Sequence, residues 1–352
     1  MQTHRVTQAD IAAKLGVSHA TVALALKNHH RISAKRREEV QQLAKKLGYQ
    51  PDPFLAGLAA YRRNLEISKF HGVIGWVNHW ADPAELHRLQ EFENYWLGAK
   101  AAAKQFGYVL EEIRWPVNCP AKRYERILLS RGIQGVLIPP HPHRQSPVWG
   151  DFDWSKFSLI RFGMSVHNPD SNVVTSDQFR ATVMAMTNIH RLGYQKIGLI
   201  VNRELDENIG GNYTGGFFAA QKLFGVKSAD SLLLINPNIY LQQPAHAEKE
   251  LGAWLKKVQP DAVLTTLGGI PAMIRRLGYR IPQDLAVAGT SVADIPLDTG
   301  VNQRSQEIGR IAVEMLVKQI NINERGEPSA PCRMLVESTW QDGKSLPRRR
   351  LK

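Results

Sequence analysis

Apolar positions recur along this chain with two different periods, and the change of period divides it. Up to residue 47 the spacing is helical. Thr7 precedes a stretch with Ile11, Ala12 and Leu15 on one face, and Gly16 stops it. Ser18 opens a second helix with Val22, Ala25 and Leu26 inward, which leaves His19, Ala20, Ala23, Leu24 and Lys27 outward. Ser33 caps a third helix, 34–47, with Val40, Leu43, Ala44 and Leu47 on one face and Gly48 as its stop. Asp52 and Pro53 open a fourth, carrying Phe54, Leu55, Leu58 and Ala59 to about Tyr61. It is too short to persist without a partner.

From Phe70 onward strand and helix patterns alternate. Strands are predicted at 70–78, 108–114, 135–140, 157–162, 173–177, 196–201, 232–235, 261–266 and 284–289. Helices are predicted at 84–107, 121–131, 178–192, near 213–224, at 245–258, up to Gly278, and around 303–322. The last has Ile308, Ile311, Ala312, Met315 and Leu316 inward. Such alternation means parallel sheets covered on both faces. About ten strands exceed what one compact sheet of this length holds, so two similar lobes with a cleft are expected. Ligands of such sheets sit at the carboxyl ends of the strands.

Charge narrows the function of the first segment. The 352 residues carry a formal charge of +13. Residues 1–63 hold eleven Lys and Arg against four acids, a surplus of seven that suits a polyanion. Five more cations lie between Lys344 and Lys352, read as a solvated basic tail. Two cysteines, Cys119 and Cys332, make no disulfide framework, and no CxxC pairs with histidines as a zinc site requires. No apolar run of about 18 residues predicts a membrane span. MQTHRVTQAD has no secretory h-region, so a cytoplasmic protein is expected. Nucleotide-binding and hydrolase motifs (GxGxxG after a strand, GxxxxGK[ST], GxSxG) do not occur. IGGNYTGG (209–216) lacks the lysine and spacing of a phosphate loop, and His141 with His143 lies in a proline-rich loop without a partner motif. No enzyme, cofactor or metal is expected.

The first three helices, with Gly16 at the bend, read as a helix-turn-helix, whose second helix faces base edges. A plain three-helix bundle with a lysine-rich face is the alternative. The strings RVTQADIAAKLGVSHATVALAL and RISAKRREEVQQLAKKLGYQPDP, followed by Leu58, resemble the DNA-binding head of the lactose-repressor (LacI/GalR) family. The resemblance implies an N-terminal all-α helix-turn-helix plus hinge helix, used as a homodimer on a palindromic DNA operator. It places His19 and Ala20 where base-reading side chains sit, Leu24 one turn on, and Leu58 where the hinge leucine enters a minor groove. Thr7, Ser18, Thr21 and Asn28 fall at phosphate-facing or helix-terminal positions. The hinge departs from the family pattern at Pro53, Leu55 and Ala56, and the usual hinge arginine is missing.

The body strings HRLGYQKIGLI (190–200), DAVLTT (261–266), LGYRIPQDLAVAG (277–289) and LDTGVNQRSQEIG (297–309) extend the resemblance to about Trp340. It implies an α/β two-lobed, periplasmic-binding-protein-like body with parallel sheets. The expected organisation is 1–50 helix-turn-helix, 51–68 hinge helix and linker, and 69–343 effector-binding and dimerisation domain. Its lobes are expected at 69–162 with 291–322, and at 163–290 with 323–343, before the tail 344–352. Sugar-binding members use an arginine, an asparagine and an aspartate in the cleft. Here Tyr213 replaces the first, Leu267 and Gly268 the second, and Ser291 the third, while Gln303 matches a family glutamine. Asn78, His79, Trp80, Phe162 and Tyr213 are candidates to line the cleft instead, an aromatic face with few charges suited to a sugar ring or another flat small-molecule effector. The function implied is a ligand-responsive transcriptional regulator of a carbohydrate-related operon. Two alternatives stand beside it: a solute-binding protein of the periplasmic type, and a regulator that has lost its effector.

Overall fold

The computed structural model describes residues 7–26, 29, 31–47, 49, 71–115, 119–141, 149–226 and 229–349. The hinge segment, with Leu58, and Asn28 lie outside them. Three helices form the N-terminal head: α1 (Gln8–Leu15), α2 (His19–Leu26) and α3 (Ala34–Lys46). Thr7 and Asp10 close a capping box on α1, and Gly16 ends it in the left-handed conformation at φ 63°. The chain then turns through 109° into α2, as a helix-turn-helix requires. Ile11, Ala12, Val22, Ala25, Val40 and Ala44 form the buried core of the head.

The body consists of two six-stranded sheets. The first comprises β1 (Gly72–Asn78), β2 (Tyr108–Arg114), β3 (Gly135–Ile138), β4 (Ser158–Phe162), β5 (Asn172–Ser176) and β11 (Arg333–Val336), all parallel, in the order β11-β5-β4-β3-β1-β2. The second comprises β6 (Ile197–Asn202), β7 (Leu232–Ile235), β8 (Ala262–Thr265), β9 (Ala286–Gly289), β10 (Gly300–Asn302) and β12 (Thr339–Gln341), in the order β12-β10-β9-β8-β6-β7. Only β12 is antiparallel there, against β10. The helices are α4 (Pro83–Arg88), α5 (Gln90–Gln105), α6 (Ala121–Ser130), α7 (Gln178–Arg191), α8 (Arg203–Asn208), α9 (Asn212–Leu223), α10 (Pro237–Gln242), α11 (Pro244–Val258), α12 (Ile270–Arg276) and α13 (Ser305–Ile322). The single helix predicted at 84–107 is thus two, because Leu89 is extended at ψ 110°.

The lobe boundaries differ from those expected. β5 hydrogen-bonds to β4 and β11, so the first lobe runs to Ser176 rather than 162. β10 pairs with β9, so 291–302 belong to the second lobe and the chain returns only at α13. Of the 323–343 segment, β11 joins the first sheet and β12 the second. Hydrophobic period says that a segment is a strand; it does not say which edge the strand completes.

Two close packings shape the first lobe. A Cβ on Gly98 of α5 would lie 2.0 Å from the Gln306 carbonyl oxygen, and one on Gly309 of α13 2.1 Å from that of Tyr95. The two helices therefore touch backbone to backbone.

The tail read as solvated is docked as far as it is described. Leu346 is 2% exposed, in the core of the second lobe. The Asp298 carboxylate accepts from the Lys344 and Ser345 amides, Tyr194 donates to the Pro347 carbonyl, and Arg349 pairs with Asp261. One buried leucine and two acids placed far back in sequence hold a segment whose own composition looks unstructured.

Candidate functional site

Two regions of this fold present chemistry outward. In the head, Ser18 accepts a hydrogen bond from the Thr21 amide at 3.1 Å, and its hydroxyl meets that of Thr21 at 2.8 Å. This fixes the start of α2 and leaves His19 and Ala20 side by side and exposed. Thr21 and Leu24 are half-buried. Thr7, exposed, spends its side chain on the α1 cap.

In the body, a cavity of about 590 Å³ lies between the lobes. Its walls come from the carboxyl ends of both sheets, where a parallel α/β sheet opens its loops. Trp80 follows β1, Pro140 and His141 follow β3, Met164 and Ser165 follow β4, Asn202 ends β6, Thr266 follows β8, and Thr290 and Ser291 follow β9. Glu91, Phe92 and Tyr95 of α5 face it from the first lobe, and Tyr213 of α9 from the second.

Trp80 is fixed at both ends. Its amide donates to Asn78 Oδ1 and its indole N–H to the Pro140 carbonyl at 2.9 Å. Asn78 in turn donates to Glu112, and His87 bridges Glu112 and Glu93. Burial opposes charge on His87, but hydrogen bonds to the two glutamates and their charges outweigh it and raise its pKa.

Tyr213 is placed by a helix cap supplied from outside its helix. Gly210 and Gly211, both at φ 74°, turn the chain into α9, and Gly211 has no side chain to cap it. Asp206 of α8 substitutes: it accepts from the Tyr213 amide at 2.9 Å, the Thr214 amide at 3.3 Å and the Thr214 hydroxyl. The glycine-rich stretch is thereby a turn. Burial raises the pKa of Tyr213, and its hydroxyl meets Thr290 and Gln303. Gln303 also accepts from Ser176 at 2.7 Å and donates to the Thr290 carbonyl at 3.1 Å, which ties the end of β5 to the end of β9 across the crossing point.

Glu91 clasps the lobes together. It is 5% exposed and accepts from the hydroxyls of Ser291, in the second lobe, and Ser305, at the start of α13. Its amide donates to Asp294 at 3.3 Å. Burial pushes its pKa up to about 7, and the negative charge of Asp294 adds to the rise.

Of the residues picked for the cleft, Trp80, Tyr213, Ser291 and Gln303 line the cavity together. Four do not. Asn78 is fully buried and supports Trp80. Phe162 is core between Trp76 and Tyr95, and Leu267 is core of the second lobe. His79 turns into a cluster with Trp115 and Trp149, and burial lowers its pKa. The expectation of few charges is also corrected, since Glu85, Glu91, Glu204 and Asp294 all reach the cavity surface. Glu91, Phe92 and Tyr95 share one helix face in EFENY, the signal that would have pointed to them.

Residues 7–52 match the model of bacterial regulatory proteins of the lacI family, and residues 187–346 match a periplasmic binding protein-like domain. The chain belongs to the LacI family. It is 23% identical over 354 residues to the transcriptional repressor CytR of Escherichia coli K12, covering 96% of this chain and 97% of the relative. It is 24% identical over 360 residues to the regulator KdgR of Bacillus subtilis 168, covering 98% of each. Among solved structures, the CelR–cellobiose complex matches with a TM-score of 0.57 at 20% identity, over 97% of this chain and 100% of that one. The lac repressor dimer bound to operator matches with 0.53 at 17% identity, over 98% and 100%. This LacI-family chain is a DNA-binding transcription regulator, not an enzyme. Among its described residues no single helix is long and apolar enough to cross a membrane.

Proposed function

We propose that this LacI-family chain acts as a homodimer on a palindromic operator and represses an operon for the compound it senses, a carbohydrate-related one. The observation that carries the reading is the pairing, in one chain, of an exposed His19–Ala20 edge on α2 with a polar and aromatic cavity between two lobes. A two-fold dimer presents two such edges, one to each half-site. Thr7, Ser18, Thr21 and Asn28 are proposed to set register on the phosphates, and Leu58 to wedge the central base step. A ligand in the cavity touches both lobes, so its binding is linked to lobe closure and through the hinge to operator affinity. The cellobiose held by the CelR neighbour supports reading this cavity as an effector site.

The test is binding-site selection followed by titration of the selected duplex. We expect a palindrome, with affinity falling by a log–log slope of about −0.9 per neutralised phosphate as salt rises. Exchanging His19 and Ala20 should alter base preference in the half-sites. Leu58→Ala should weaken binding about tenfold or more with half-site preference unchanged, roughly 1.4 kcal/mol per tenfold. Salt-independent binding, or an unchanged motif after the exchange, would sink the reading.

A further inference from the structure

The charge of the cavity is one-sided. Four carboxylates reach its surface and, among the described lining residues, no arginine or lysine does. The acids come from both lobes: Glu85 and Glu91 from α4 and α5, Glu204 from α8, and Asp294 from the loop after β9. The chain as a whole is at +13, so this concentration runs against the overall balance. In a site withdrawn from water, charges interact more strongly than at a surface. An anionic ligand would meet repulsion with no arginine or lysine to compensate, and a neutral one would leave the acids without a counter-charge. A cation gains from them, and gains again from ring faces such as those of Trp80, Phe92 and Tyr213. The contact between Glu91 and Asp294 sharpens the point. Burial and the negative charge of Asp294, which accepts from the Glu91 amide, both hold the Glu91 carboxyl toward its neutral form, and a positive group beside them offsets that charge.

Resting on the reading of this cavity as the effector site, we infer that the effector is a cation: an amine on a hydroxylated or flat frame, with its ammonium facing Glu91, Asp294 and Glu204 and its frame against Trp80 and Tyr213. This also accounts for the lost arginine. A guanidinium at position 213 would occupy the place of the ligand's own charge.

The experiment uses the full chain and probes on shared frames that carry opposite charges or none: glucamine, sorbitol and a sorbitol phosphate, then benzylamine and benzyl alcohol. Calorimetric titration should show at least one amine binding tenfold or more tightly than its neutral partner, with the phosphate weakest. Glu204→Gln and Glu91→Gln should each lower the ratio of amine to neutral affinity several-fold. Glu204 is half-buried at the cavity edge, so its variant separates loss of charge from loss of fold. Neutral or phosphorylated probes that bind as well as the amines, or amines that do not bind, overturn the inference. Operator titration in parallel keeps the two readings apart. An amine preference without effect on operator affinity defeats the effector reading and leaves the charge assignment standing. A neutral compound that alone alters operator affinity does the reverse.

Discussion

At the scale of single residues, Glu91 is where structure, charge and pH meet. Its folded pKa of about 7 exceeds the ordinary 4.5. Below pH 4.5 the carboxyl is neutral whether the chain is folded or not, and its burial carries no ionisation cost. Between pH 4.5 and 7 the unfolded chain ionises while the folded one keeps its proton, so stability falls as pH rises. Above pH 7 the loss is complete, up to about 3 kcal/mol. Glu91→Gln keeps the shape and removes the titration. Urea unfolding at pH 5 and pH 8 should show the variant gaining on the parent as pH rises; parallel pH profiles would refute the assignment. His87 acts in the same direction for the opposite charge. Its raised pKa makes the contribution of the Glu93 and Glu112 pair complete below pH 6.5 and lost above the folded value. His87→Gln should therefore destabilise at pH 6 and do little at pH 9, read by thermal unfolding at the two pH values.

At the scale of elements, what was legible depended on whether a segment carries its own signal. Capped helices and buried strands do: Thr7, Ser18 and Ser33 cap where the pattern placed them, and β1, β8 and β9 fall within the predicted runs. Partners chosen from afar do not. β10, β11 and β12 are three or four residues long and owe their existence to the edges they complete. Glu91 reads in sequence as one more acid on a helix, and only Ser291 and Ser305, some 200 positions away, bury it. The same holds for the tail, where Leu346 fills a core made by residues from Ala181 to Val301. Leu346→Ala should cost about 2 kcal/mol, the low end for a buried leucine, because a chain end can relax around the gap. Urea denaturation measures it, and a cost near zero would return the tail to the solvated end its composition suggests.

At the scale of the whole molecule, the chain crosses between lobes three times, after Ser176, after Asn302 and after Val336. All relative motion of the lobes is confined to these crossings and to the contacts that span them. Gln303 sits in the second crossing and holds β5 and β9 through Ser176 and Thr290, while its amide group also meets Tyr213 in the cavity. It is thus placed to report occupancy of the cavity to the point where the lobes turn. Gln303→Leu retains the volume and removes both bonds. At about 1 kcal/mol each, their loss favours lobe opening by roughly tenfold or more, at 1.4 kcal/mol per tenfold. Amide hydrogen exchange of the ligand-free protein reads this directly. Exchange should quicken at 176–178, 290–292 and 302–305, while the centres of β1 and β8 keep their protection. An even rise across both sheets would mean that Gln303 only supports the fold, and an unchanged crossing would mean that the Glu91 clasp, not this bridge, governs how the lobes part.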